Sequence, residues 1–196
     1  MPKINSSKDI LMLLLYAKGA EGRFCEAIRG RTRLVKMVFL FEKEIWEKLK
    51  LNQIISKEAL PGFRAYDFGP FSAQVYSDLE FLVNLGFVNV ERIDGSETLT
   101  EEALEYSYWQ VTSSTDESEM AEEKEQEFSL TGMGHEFVKE KLKNQLSDEQ
   151  WDYIGKFKAQ CTRTSLRDLL RYVYAKYPET TTKSKIREEI MSKWKY

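Results

Sequence analysis

Gly86-Phe87-Val88-Asn89-Val90-Glu91-Arg92-Ile93 joins two periodicities at a single glycine. Before it, Val75, Leu79, Leu82, Val83 and Leu85 recur at helical spacing; after it, apolar and polar side chains alternate, as in a strand with one buried face. Glycine suits the left-handed residue that closes a helix. A second stretch, Glu127-Phe128-Ser129-Leu130-Thr131, reads as a returning strand that runs directly into a helix from about Gly134 to Leu146. Tyr108-Trp109-Gln110-Val111-Thr112 is a candidate for a further strand between them.

Upstream, the pattern is helical. Ser7 and Asp9 precede the apolar run Ile10 to Tyr16, and Gly19 and Gly22 can stop that helix. After a basic turn carrying Arg29, Arg31 and Arg33, the positions Leu34, Met37, Val38, Phe41, Ile45 and Leu49 mark a long amphipathic helix. Lys36, Glu42, Lys43 and Glu47 fall on its outer side. Pro61-Gly62 breaks the chain, and Tyr66-Asp67-Phe68-Gly69-Pro70 makes a turn into the next helix, for which Ser72 is a natural N-cap. Helix, glycine stop, strand, loop, returning strand and helix is the order of a winged helix-turn-helix domain, with the hairpin as its wing. The expected fold class is mainly α (α+β): a winged helix-turn-helix domain with a small β wing and a C-terminal helical extension. Its expected boundaries are 1–146 for the domain, with an acidic insertion at 94–127, and 147–196 for the extension.

Length and charge agree with that division. The chain has 196 residues, 42% of them hydrophobic and 13% aromatic, enough for a sizeable core. The net charge of −3 lacks the basic excess of a nonspecific nucleic-acid binder. It is, however, unevenly spread: residues 94–127 carry −11 and residues 151–196 carry +6. The acidic stretch, dense in Ser and Thr at 112–115, is of a kind that seldom packs. Two cysteines, Cys25 and Cys161, give no disulfide framework. No charged n-region with an apolar h-region opens the chain, and the apolar run Leu11 to Ala17, with Ile10 before it, falls far short of the roughly 20 residues of a membrane span. The expectation is a soluble, cytoplasmic protein.

The extension reads as further helices. Ser147 with Glu149 and Gln150 resembles a capping box ahead of Trp151, Ile154 and Phe157. A second helix from Ser165 carries Leu166, Leu169, Leu170, Val173, Tyr174 and Tyr177 and ends before Pro178. Arg163, Arg167 and Arg171, four residues apart, line up as a basic stripe, either a phosphate contact or a solvated face with internal ion pairs to Asp168. A last helix is expected around Ser184 to Trp194. The apolar pair 151–177 is expected to pack on the first helix, Ile10 to Lys18, and to contribute to a homodimer.

Three segments taken together carry a narrower likeness. Thr32-Arg33-Leu34-Val35-Lys36-Met37-Val38-Phe39-Leu40, then Tyr66-Asp67-Phe68-Gly69-Pro70-Phe71-Ser72 with Val75-Tyr76, then Phe128-Ser129-Leu130-Thr131 resemble the phage-associated SocA-like (Panacea) antitoxins and the YwgA-like proteins. In those families a Leu-x-Lys-x-x-Tyr helix precedes a Tyr-Gly-Pro turn, and here Phe39 stands in place of the tyrosine. The resemblance spans roughly residues 30–140 and implies an antitoxin or adaptor that binds a partner protein.

No catalytic residue, metal ligand set or cofactor is read from the sequence. His135 is a lone histidine at a helix start, and there is no phosphate-cradling glycine loop, Gly-x-Ser-x-Gly or His-Glu-x-x-His. Tyr66, Phe68, Phe71 and Tyr76 read as core. Between Ala65 and Glu91 there is no Lys or Arg, so the helix expected in a DNA groove offers only Ser72, Gln74, Ser77 and Asn84 as donors. Any phosphate contact must come from Arg29, Arg31, Arg33, Lys36 and Arg64, with help from Arg163, Arg167 and Arg171. The leading expectation is a non-enzymatic winged-helix regulator that binds double-stranded DNA. The alternative is an antitoxin-like or adaptor module that binds a partner protein, and a third is an unrecognised nuclease-associated enzyme. No membrane contact is expected.

Overall fold

The computed structural model describes residues 4–93 and 125–191. At its centre lies α1 (Ser7–Tyr16), whose first turn is capped by the Ser6 hydroxyl accepting from the Lys8 amide. Ile10 to Ala17 are all buried. A helix apolar on every side is one enclosed by its neighbours, and the rest of the chain wraps it. It stops at Tyr16, ahead of Gly19 and Gly22.

β1 (Ile28–Arg29) and a left-handed Gly30 lead into α2 (Arg31–Leu40). α2 runs on through a π-helical turn, Phe41–Ile45, into Trp46–Lys48. The long helix is therefore present, but the extra residue of the π turn rotates its faces. Lys36 is a correction to the expected outer side: it is buried, and its ammonium donates to the Phe68 and Pro70 carbonyls at 2.8 and 3.2 Å.

The expected turn at 66–70 is a hairpin, β2 (Arg64–Tyr66) against β3 (Gly69–Phe71), with Tyr66 opposite Gly69. Gly69 is required there twice over. Its φ is +83°, and a Cβ would lie 2.9 Å from the Tyr174 ring. The hairpin tip is held by Lys185, whose amide donates to the Asp67 carbonyl and whose ammonium sits 2.6 Å from the Asp67 carboxylate.

α3 (Ala73–Asn84) turns Val75, Asp78, Leu79 and Leu82 inward against α1. Ser72 occupies its N-cap position, yet the hydroxyl is spent on the Pro61 carbonyl at 3.1 Å and caps nothing. Gly86, φ +75°, closes the helix and starts β4 (Val88–Ile93). β4 pairs antiparallel with β5 (Glu125–Leu130), from Val88 opposite Leu130 to Ile93 opposite Glu125. β1 adds to the other edge of β5, with Ile28 opposite Phe128, so the sheet order is β1-β5-β4. Ile28, Val88 and Phe128 form its buried face. The further strand expected at Tyr108–Thr112 lies outside the described residues.

Thr131 caps α4 (Gly132–Phe137), accepting from the Gly134 amide and donating to the Gly86 carbonyl, and the helix extends through a second π turn, Val138–Leu142. α5 (Asp148–Arg163) opens on the expected capping box of Ser147 and Gln150. α6 (Leu166–Lys176) is capped by Ser165 and ends before Pro178, and α7 is Arg187–Met191. The fold is thus mixed, mostly helical, with two small open sheets among the described residues. One apolar cluster runs from Ile4 to Ile190 without a break at 146/147. No helix among the described residues is long and apolar enough to cross a membrane.

Candidate functional site

The sequence-expected contact residues do not form one surface. Arg29 is exposed on the edge strand β1, with Glu127 3.8 Å away on β5. Arg31 opens α2 and lies 5.7 Å from the Tyr76 ring centre. Arg33 points inward along the molecule, donating to the carbonyls of Cys161 and Thr164 at 2.6 Å, where it closes the last turn of α5. Lys36 is in the interior, as described above. Arg64 is exposed and sits 5.7 and 5.8 Å over the Tyr66 and Phe71 rings.

On α3, Gln74 donates to the Asp78 carboxylate at 2.7 Å, and Ser77 is exposed beside it. The arginine stripe is broken, because α5 ends at Arg163 and the extended residues Thr164 and Ser165 lose the helical phase before α6. Arg163 donates to the Ala20 carbonyl. Arg171 donates to the Ile190 carbonyl and pairs with Asp168 at 3.0 Å, the internal alternative weighed for it. Arg167 is half-buried on α6.

Two arrangements stand out instead. The first is the outer face of α3. Ala73, Gln74, Ser77, Glu80, Phe81, Asn84 and Leu85 face outward, and among them is no cation. Phe81 and Leu85 are 47% and 49% exposed, one turn apart. Met133 of α4, 50% exposed, reaches to the Gly86 end of the same face, and the Lys8 ammonium lies 5.0 Å from the Phe81 ring centre. Three large apolar side chains presented together are uncommon on a surface meant only for water.

The second is a groove between α2 and the β2–β3 hairpin. Its wall is a run of rings: Tyr66 stacks on Phe71 at 4.9 Å, and Phe71 meets Tyr76 at 5.2 Å. Thr32, Val35 and the Lys36 stem lie opposite, and Phe68, Gly69 and Pro70 lie at its base. Phe68 is core, as expected from sequence, whereas Tyr66, Phe71 and Tyr76 are half-buried and line the groove. No carboxylate lines it among the described residues.

Neither protein-family models nor curated proteins nor solved structures contain a match to this chain.

Besides Lys36, two buried charges escaped the sequence reading. Asp78 accepts from the Ser7 hydroxyl and from Gln74, and Lys8 stands 2.9 Å from it, so it ties α3 to the start of α1. Its place in step with Val75, Leu79 and Leu82 was the available signal. Lys158 of α5 is fully enclosed and donates to the carbonyls of Leu15, Ala17 and Glu26 at 2.9, 2.9 and 2.6 Å. Burial pushes its ammonium down to about 8. Both cysteines are free thiols; burial drives Cys161 up to about 12 and also raises Cys25. Neither is poised as a nucleophile. Among the described residues, no cluster of His, Cys, Asp and Glu has the makings of a metal site.

Proposed function

We propose that the chain is a non-enzymatic interaction module that binds a partner protein through the outer face of α3. The carrying observation is that face itself: Phe81, Leu85 and Met133 are exposed together, α3 itself contributes no cation, and the nearby Lys8 ammonium is paired with Asp78. Apolar and aromatic anchors with a polar rim are what a protein partner buries. A DNA groove asks for the opposite, since phosphate contacts are made chiefly by cations. The antitoxin or adaptor role implied by the family resemblance is of this kind.

A second reading, the winged-helix regulator of double-stranded DNA, is favoured by one observation. The order α1-β1-α2-β2-β3-α3-β4-β5, with β1 paired to the returning strand of the β4–β5 hairpin, resembles that of a winged helix-turn-helix with the β2–β3 hairpin added. Arg29 on β1 and Arg64 on β2 are exposed cations near it.

Two measurements decide between them. A photoreactive residue at Leu85 should yield a covalent adduct with an identified protein in the source cell, and Phe81→Glu should abolish it. Mixed-sequence duplexes should show no retention at about 50 mM salt, where electrostatic contacts are strongest. Duplex binding that weakens steeply with salt and is lost in Arg29→Ala/Arg64→Ala, with no protein adduct, overturns the interaction reading in favour of the regulator.

A further inference from the structure

Phe24 stands 42% exposed on the loop between α1 and β1, and that loop is fixed from several sides. The Lys158 ammonium of α5 holds the Ala17 and Glu26 carbonyls at its two ends, and Arg163 holds the Ala20 carbonyl between them. Within the loop, the Glu26 carboxylate accepts from the Glu21 and Arg23 amides at 2.9 and 2.7 Å, and the Cys25 amide donates to the Tyr16 carbonyl at 2.9 Å. Cys25 takes φ +60°, a left-handed conformation unfavourable to a residue with a side chain, so the surrounding contacts must hold it. A large apolar ring is thus kept in water by a fixed backbone, as on loops that carry a contact.

The neighbours of the ring give that contact its chemistry. The Lys18 ammonium lies 5.1 Å and the Lys143 ammonium 6.0 Å from its centre. Both lysines are exposed, and neither is matched by a carboxylate among the described residues. The acids of the same loop and of α4 are engaged: Glu21 pairs with Arg23, Glu26 takes the two amides, and Glu136 meets His135 and Lys139. Behind Phe24 the rings continue. Buried Tyr16 meets it at 5.2 Å and stacks on His135 at 5.4 Å, and the His135 side chain is 39% exposed.

An exposed ring beside unmatched ammoniums fits a ligand that brings a flat π face together with negative charge. Lysine is depleted where proteins bury surface against each other, which argues against a protein partner at this corner. A duplex keeps its bases stacked on one another and offers a protruding ring no face. An unpaired nucleotide offers both, base to ring and phosphate to ammonium, the pairing by which single strands are held. With Phe24 and His135 on either side of Tyr16, successive bases have successive platforms.

We propose that this corner binds single-stranded nucleic acid, one base stacking on Phe24 and its flanking phosphates contacting Lys18 and Lys143. The surface shares no residue with the α3 face and does not depend on what that face binds. Because the chain as a whole carries −3, the attraction is local to this corner and weakens with salt.

Fluorescence anisotropy on the full chain tests this, with labelled oligothymidylate and oligouridylate of about twelve nucleotides at about 50 mM salt. Both strands should bind, the tighter identifying the natural sugar, and the thymidylate strand paired with its complement should bind at least about tenfold more weakly. Phe24→Ala should weaken single strands about tenfold, within the range of one lost base stack, and leave the slope of log affinity against log salt unchanged; Phe24→Trp should restore binding. Lys18→Ala/Lys143→Ala should instead reduce the steepness of that slope by about 1.4, the value for two phosphate contacts on a single strand. All three side chains lie at the surface, so each variant should keep the native far-UV spectrum. Phe81→Glu should bind the strands as the native chain does, which separates a failure here from a failure of the α3 face. Five outcomes overturn the proposal: no binding of either strand, equal binding by the native chain and Phe24→Ala, equal binding of the duplex, displacement by a polyglutamate peptide as effective as an unlabelled strand, or sedimentation with phosphatidylserine vesicles that requires Phe24.

Discussion

Asp78 and Lys158 show how far a single buried charge can organise this molecule. Asp78 is enclosed, with partners on two elements, so Asp78→Ala strands the Ser7 hydroxyl and removes the tie between α3 and α1. Its expected cost is about 2–4 kcal/mol, read as a lowered urea midpoint; a loss under about 0.5 kcal/mol would contradict this role. Lys158 makes a pH-dependent prediction. Its folded pKa of about 8 lies below the ordinary lysine value, so from about pH 8 to 10.5 the unfolded chain holds more protons at this residue and its contribution to stability rises with pH. The buried thiols act in the opposite sense above about pH 8.5, since they ionise later folded than unfolded. Comparing the chain with and without Lys158→Met cancels Cys161, and Cys25→Ser in both removes the one thiol that interacts with this lysine. The chain that keeps Lys158 should gain on the variant between pH 7.5 and 9.5, by at most about 1.4 kcal/mol per pH unit, and a constant gap would refute the assignment. Both charges occupy core positions of their helices in the sequence. Lysine and aspartate at such places read as solvent-facing because only the fold supplies the carbonyls and hydroxyls that make burial tolerable.

At the level of elements, what was legible depended on length. The β4 alternation, the Gly86 stop, the Ser147 capping box and the helix ending before Pro178 all have local chemical causes and stand where the sequence placed them. β1 has two residues and no period to detect; it exists only because β5 offers a free edge. The π turns left no trace in the apolar spacing either. The first presents Glu44 to the Tyr172 and Tyr177 hydroxyls and to Lys176, at 2.9 to 3.0 Å, which pins α6 against α2. The basic stripe failed for a related reason: two extended residues between helices are enough to undo a four-residue phase. The groove was half legible, since its aromatics were noticed but assigned wholly to the core. Gly86 carries the prediction for this scale. Gly86→Ala forces a side chain into the left-handed region and should cost about 1 kcal/mol, seen as a drop in Tm; no drop would mean that the junction relaxes to another conformation.

For the whole molecule, the continuous apolar cluster from Ile4 to Ile190 predicts one cooperative transition. Denaturant unfolding followed by far-UV dichroism and by tryptophan fluorescence should give coincident curves, and separated midpoints would mark residues 147–191 as a unit with its own stability. The expected contact of the C-terminal pair with the first helix is met by α5, through Trp151 against Tyr16 and Lys158 on the α1 carbonyls, while α6 packs on α2. Both apolar faces are thereby used within the chain. That arrangement also has a consequence for synthesis. α1 leaves the ribosome well before the lysine that closes its end, which lies 143 residues later. At about 5–20 residues per second, α3 follows within roughly 4–14 seconds but the face that α5 covers waits on the order of ten to thirty seconds. A nascent chain of this design should therefore call on holding chaperones during translation, and its yield in a cell should follow chaperone supply more closely than the stability of the finished fold.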